Sequence, residues 1–167
     1  MGKVKKIALL SGGGDCPGLN AVIRAVTKAA ISKYGYEVIG YVYGYDGLYK
    51  NNYIELTEQK VEGIYKEGGT ILFSSNKTNL FDMPFEDEDG NIVKKDVSDV
   101  GVENLKKAGV DVLVVLGGDG TLTSARDFAR KGVNVIGIPK TMDNDLAATD
   151  LTYGFISAMS VGTDFID

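Results

Sequence analysis

The chain has no histidine. That absence excludes Ser-His-Asp and Cys-His nucleophilic sites and histidine-ligated zinc. Acid–base work falls to carboxylates, Lys, Tyr or water, while hard cations such as magnesium on oxygen ligands remain allowed. There is one cysteine, Cys16, so no intrachain disulfide can form. With no signal-peptide pattern at the N-terminus, this predicts a reducing, cytoplasmic setting. No apolar run is long enough to cross a membrane. Net charge is −5, and Lys and Arg are scattered rather than gathered in a stripe, which argues against nucleic acid as a partner.

What is present suits one domain with a real core. The chain has 167 residues, 44% hydrophobic and 25% charged, with 22 glycines that cluster in particular places. Apolar runs at residues 5–10, 37–43, 70–73, 110–116 and 133–138 predict strands, the first and the last two buried. Helices are expected from Pro17 along an apolar face of Ala21, Val22, Ala25, Val26, Ala29 and Ala30, then over residues 57–66 with Thr57 as cap, 98–108, 121–131 and 153–167. Residues 44–47 read as a turn, and 82–97 as an acidic surface excursion with a hairpin at Gly90-Asn91. Strands alternating with helices predict an α/β fold: a Rossmann-like three-layer α/β/α sandwich around a mostly parallel sheet. Residues 1–150 are expected to form a donor-binding domain, and 151–167 the start of a helix leading to a second domain that this chain lacks.

In such sheets ligands sit beyond the carboxyl ends of the strands. Three loops rich in Gly and Asp leave strand ends, at 11–15, 117–121 and 137–145, so all three are expected on one rim. Gly13 and Gly14 let backbone N–H groups approach a phosphate closely, at a helix start. The loop matches neither G-x-G-x-x-G nor a Walker loop, and a plain tight turn accounts for it equally well. Asp119 stands between Gly118 and Gly120, ahead of Thr121; it suits a magnesium ligand over phosphates, or a helix cap. Lys140, Thr141, Asp143 and Asp145 crowd into six residues. Lys140 can hold a phosphate as a point charge. With no histidine, Asp143 or Asp145 is the natural general base, an Asx-rich turn being the bland alternative. Cys16 as a nucleophile finds no histidine to activate it. Tyr41, Tyr43, Tyr45 and Tyr49 are expected to pack along a strand and turn, with base stacking as the other role for one of them.

The motifs together resemble the phosphofructokinase family. They are Gly-Gly-Asp-x-Pro-Gly-x-Asn-Ala-x-x-Arg from Gly13 to Arg24, Gly-Gly-Thr at 68–70, Gly-Gly-Asp-Gly-Thr at 117–121 and Pro-Lys-Thr-Met-Asp-Asn-Asp at 139–145. They cover nearly the whole chain in order. Gly-Gly-Asp-Gly-Thr alone is shared with NAD and lipid kinases, but those do not account for 139–145. The resemblance implies Mg2+-dependent transfer of a phosphoryl group to the 1-hydroxyl of fructose 6-phosphate. Asp143 would then be the base, Lys140 and Thr141 its catalytic neighbours, and Thr141 and Asp145 would help hold the sugar. Asp119 would bind magnesium. Gly13, Gly14, Gly118, Gly120, Thr121 and Ser124 would line the donor site, with Lys77 standing where many members carry an arginine. Gly120 goes with ATP as donor and Lys140 with pyrophosphate; ATP is the expectation because an Asp at 120 would repel the α-phosphate. Arg24 and Lys28 resemble the family's effector site. A homo-oligomer, dimer or tetramer, is implied for the full-length protein. Family subunits take sugar-phosphate contacts from a second domain, so this segment alone is expected to be inactive. A non-catalytic nucleotide-binding module is the remaining alternative.

Overall fold

The computed structural model describes residues 5–147 and 149–166. In chain order its elements are β1 (Lys6–Ser11), α1 (Leu19–Lys28, closing in a π-helical stretch Ala29–Lys33), β2 (Glu37–Tyr41), α2 (Tyr45–Lys50), β3 (Tyr53–Glu55), β4 (Met83–Glu86), β5 (Ile92–Lys95), α3 (Ser98–Lys107), β6 (Val112–Gly117), α4 (Asp119–Arg130), β7 (Val135–Thr141), β8 (Tyr153–Gly154) and α5 (Phe155–Ile166). One six-stranded sheet runs in the order β3-β2-β1-β6-β7-β8. All its pairings are parallel except β2 with β3. β4 and β5 form a separate hairpin, as the excursion at 82–97 predicts.

Strand alternation sorts the core into two layers. From β1, Ile7 and Leu9 enter one layer, with Leu19, Val22 and Ile23 of α1. Ala8 and Leu10 enter the other, with Leu48 of α2, Leu105 of α3 and Phe128 of α4. Helices therefore cover both faces, and the three-layer α/β/α expectation holds. β1 is followed by β2 on one side, and the chain later crosses to β6 on the other. The strand order thus reverses between β1 and β6, which opens a crevice at their carboxyl ends.

Several local expectations fail for identifiable reasons. Residues 57–66 do not form one α-helix; only Ile64–Lys66 make a single 3-10 turn. One turn starts, with Thr57 Oγ1 accepting from the Lys60 N–H at 3.2 Å, and it gives way before Gly63, whose φ of 82° is left-handed. Buried Leu56, Val61 and Ile64 then pack as an irregular layer. Residues 70–73 are not a strand, because β3 already occupies the free side of β2. They form a turn closed by the Phe73 N–H on the Thr70 carbonyl at 3.0 Å. The expected turn at 44–47 is the start of α2. β7 is not buried. β8 pairs only with Lys140 and Thr141, so among the described residues the outer side of residues 135–139 has no strand partner, and Ile136 is 55% exposed. The final helix starts at Phe155, after the Tyr153–Gly154 strand, and the described part of α5 contains no buried residue. Of the expected α1 face, Val22 and Ala30 are buried, but Ala21 and Ala25 are exposed, and Leu19 and Ile23 complete the buried side. The excess of small residues disguised which face turns inward.

Candidate active site

Three loops meet at the crevice between β1 and β6. The Gly12 N–H donates to the Leu116 carbonyl at 2.8 Å, and the Gly13 N–H to the Ser75 carbonyl at 3.1 Å. Thr121 wedges between the first two loops: a Cβ added to Gly12 would lie 2.5 Å from Thr121 Cγ2, and one added to Gly117 would lie 2.4 Å from it. Only glycine permits that approach at either position. The Tyr45 hydroxyl donates to the Thr121 carbonyl at 2.9 Å and fixes the wedge from below.

The loops enclose a cleft of about 500 Å³. Gly13, Gly14, Gly118, Asp119, Gly120, Thr121, Ser124, Lys140, Thr141 and Asp143 all line it. Lys77 and Asp145 are exposed and lie outside its wall. Asp15, Cys16, Tyr45, Ser75, Asn76, Thr78, Asn79 and Met142 complete it. Ser75 to Asn79 carry no local signal for this role, because a long-range bridge between Gly12 and Ser75 brings them in. Arg24 and Lys28 lie on α1 away from the cleft, with the Arg24 guanidinium 5.2 Å from the ring centre of Tyr65.

Each wall has a distinct chemistry. A Cβ at Gly14 or Gly120 would meet nothing within 4 Å, so both backbones face open space. α4 opens at Asp119 without a side-chain cap. Its first intrahelical bond runs from the Leu122 N–H to the Gly118 carbonyl at 2.9 Å. The N–H groups of Asp119, Gly120 and Thr121 therefore precede the helical ladder at the positive end of its dipole, a ready anion seat. Ser124, one turn on, is buried and donates to the Gly120 carbonyl at 3.3 Å. Lys140 is 4% exposed, and its ammonium donates to the Gly14 carbonyl, tying the third loop to the first. Burial holds Lys140 below the usual lysine range, partly offset by neighbouring Cys16 and Asp15. Burial pushes the Cys16 thiol up, partly offset by Lys140, so the buried sulfur is a packing group rather than a nucleophile.

Asp143 is exposed, and among the described residues its side chain hydrogen-bonds only with Thr141 Oγ1, at 3.4 Å. The same Thr141 oxygen accepts from the Asp143 N–H at 3.1 Å. Among the described residues no three Asp, Glu, Cys or His side chains gather closely enough to form a metal cage. A hard cation here would find the single Asp119 carboxylate and would need further oxygen ligands from a bound anion. No described helix is long and apolar enough to cross a membrane.

The phosphofructokinase family model matches residues 6–167. The chain is 71% identical, over all 167 of its residues, to the ATP-dependent 6-phosphofructokinase 2 of Clostridium perfringens, of which it covers 46%. It is 44% identical over 163 residues to the pyrophosphate–fructose 6-phosphate 1-phosphotransferase of Streptomyces coelicolor, covering 97% of this chain and 44% of that one. The crystal structure of Pichia pastoris phosphofructokinase in the T-state superposes with a TM-score of 0.81 at 33% identity, over 100% of this chain and 19% of that one. The family match runs across all three loops of the cleft: the chain belongs to the phosphofructokinase family and spans about half the length of its curated relatives.

Proposed function

We propose that this segment is the donor-binding and catalytic-loop half of a 6-phosphofructokinase, acting in the cytoplasm as part of a homo-oligomer. The observation that carries this reading is the meeting of two open glycine turns with Lys140 and Asp143 around one cleft. The donor phosphates lie on the backbone of Gly13 and Gly14 and on the free N–H groups at the start of α4. Asp119 would hold magnesium, which would supply neutralising charge beside the donor phosphates. The 1-hydroxyl of fructose 6-phosphate attacks the terminal phosphorus as the bond to ADP breaks, and Asp143 takes its proton. A carboxylate is a weak base, so the proton moves late in the attack. Lys140 steadies the glycine turn beside the transferring group, and Thr141 and Asp145 hold the sugar and the loop. Residues 1–150 act as the donor domain, with 151–167 leading towards acceptor contacts, and Arg24 and Lys28 as the effector positions.

ATP is the donor that Gly120 favours, since its open face leaves room for an α-phosphate, and the 71% identical relative is named ATP-dependent. Pyrophosphate is the second reading, carried by Lys140 in the cleft and by the relative from Streptomyces coelicolor. The test is kinetics on a full-length chain containing residues 1–167, with each donor. Asp143→Asn should lower kcat by about 10²–10⁴-fold and leave magnesium-dependent ATP binding intact. Unchanged kcat would sink the assignment. The isolated segment should bind donor without turnover, and appreciable turnover by it would reject the half-site reading.

A further inference from the structure

Asp143 is held by almost nothing of its own, yet a base must sit within a fraction of an ångström of its working position. Beyond the pairing of β8 with Lys140 and Thr141, the loop around it is secured by Thr152. Thr152 is 4% exposed. Its hydroxyl donates to the Thr141 carbonyl at 2.6 Å, and its N–H donates to Asn144 Oδ1 at 2.9 Å. Asn144 has φ of +53°, a left-handed backbone that Asn tolerates better than most residues. It also donates through Nδ2 to the Asp150 carbonyl at 3.4 Å. One buried threonine thus grips the residue two before the aspartate and the residue directly after it. Gly154 seats this strand against the first loop: a Cβ there would lie 2.0 Å from Cys16 Sγ.

We propose that Thr152 and Asn144 form a clasp that positions Asp143, with neither touching the reacting atoms. This rests on Asp143 being the base. A misplacement of about 1 Å costs about 100-fold in rate, so the clasp is expected to control kcat and leave donor binding alone. Among the described residues, the donor walls at 13–14 and 118–121 share no hydrogen bond with Thr152 or Asn144.

The test uses a full-length chain. Thr152→Val keeps the shape and removes the hydroxyl. Asn144→Gly keeps the left-handed backbone and removes the side chain. Each should lower kcat by about 10–100-fold with donor KM within about twofold, and Thr152→Ser should recover most of the rate. Loss of donor affinity in step with kcat, or full activity in Thr152→Val, would overturn the clasp. Amide hydrogen exchange supplies a readout that needs no turnover. Residues 141–145 should exchange at least about tenfold faster in Asn144→Gly at unchanged global stability, and unchanged exchange there would also overturn it. A wild-type chain with no kinase activity would count against the functional reading instead, leaving exchange to decide the clasp.

Discussion

Gly120→Asp separates the fold from the donor site. The built Cβ at Gly120 meets nothing within 4 Å, so the substitution introduces no clash. Position 120 lies in the first turn of α4, where a carboxylate gains about 0.3–1 kcal/mol from the helix dipole and loss of glycine relieves about 0.5–1 kcal/mol. The folded protein should therefore melt at or slightly above the wild-type temperature. The new carboxylate would share the cleft with bound phosphates. At a separation of about 5 Å and an effective dielectric of about 20, each unit of phosphate charge costs about 3 kcal/mol, or about two orders of magnitude in affinity. Calorimetric titration with magnesium and ATP should show that loss, with a smaller one for pyrophosphate, which brings no α-phosphate beyond the two groups it transfers between. ATP affinity within about threefold of wild type would refute the reasoning. So would a drop in melting temperature large enough to account for the loss.

Phe128, fully buried between Tyr45 at 5.7 Å and Phe81 at 5.0 Å, anchors α4 under the cleft; Phe128→Ala should cost about 3–5 kcal/mol in urea unfolding. Asp96 accepts from the Ser98 side chain and N–H ahead of α3, which lowers its pKa. The stability it contributes is full above its unfolded pKa of about 3.9 and is lost as pH falls through the lower folded value. Asp96→Asn should flatten the dependence of the urea midpoint on pH in that acidic window, and an unchanged slope would show that the pairing contributes nothing.

The central strands and the convergence of three loops were legible because they rest on local signals. β1 and β6 are apolar runs too short for helices, and a parallel sheet sends every βα turn to the same edge. Failures arose wherever distant contacts decided the outcome. Thr57 announced a helix that one left-handed glycine and three separately buried side chains dissolved. Tyr43 and Phe73 both take positive φ and stack at 4.9 Å, an arrangement no propensity anticipates. In the site, Asp119 and Asp143 could be read from their neighbours. Asn76, Thr78 and Asn79 could not, because a bridge across 63 positions of chain brings their segment to Gly12. The grip of Thr152 on Thr141 was hidden for the same reason, since nothing in either residue's surroundings specifies the other.

The wedge of Thr121 between Gly12 and Gly117 carries a consequence for how this sequence can change over generations. No side chain can be gained at 12 or 117 while a branched residue stands at 121, and each such replacement is barred alone. A smaller residue at 121 must come first, at the cost of a loosened cleft floor. Three positions spread over more than a hundred residues thus drift as one, and a chimera that swaps only one of them inherits a collision neither parent has.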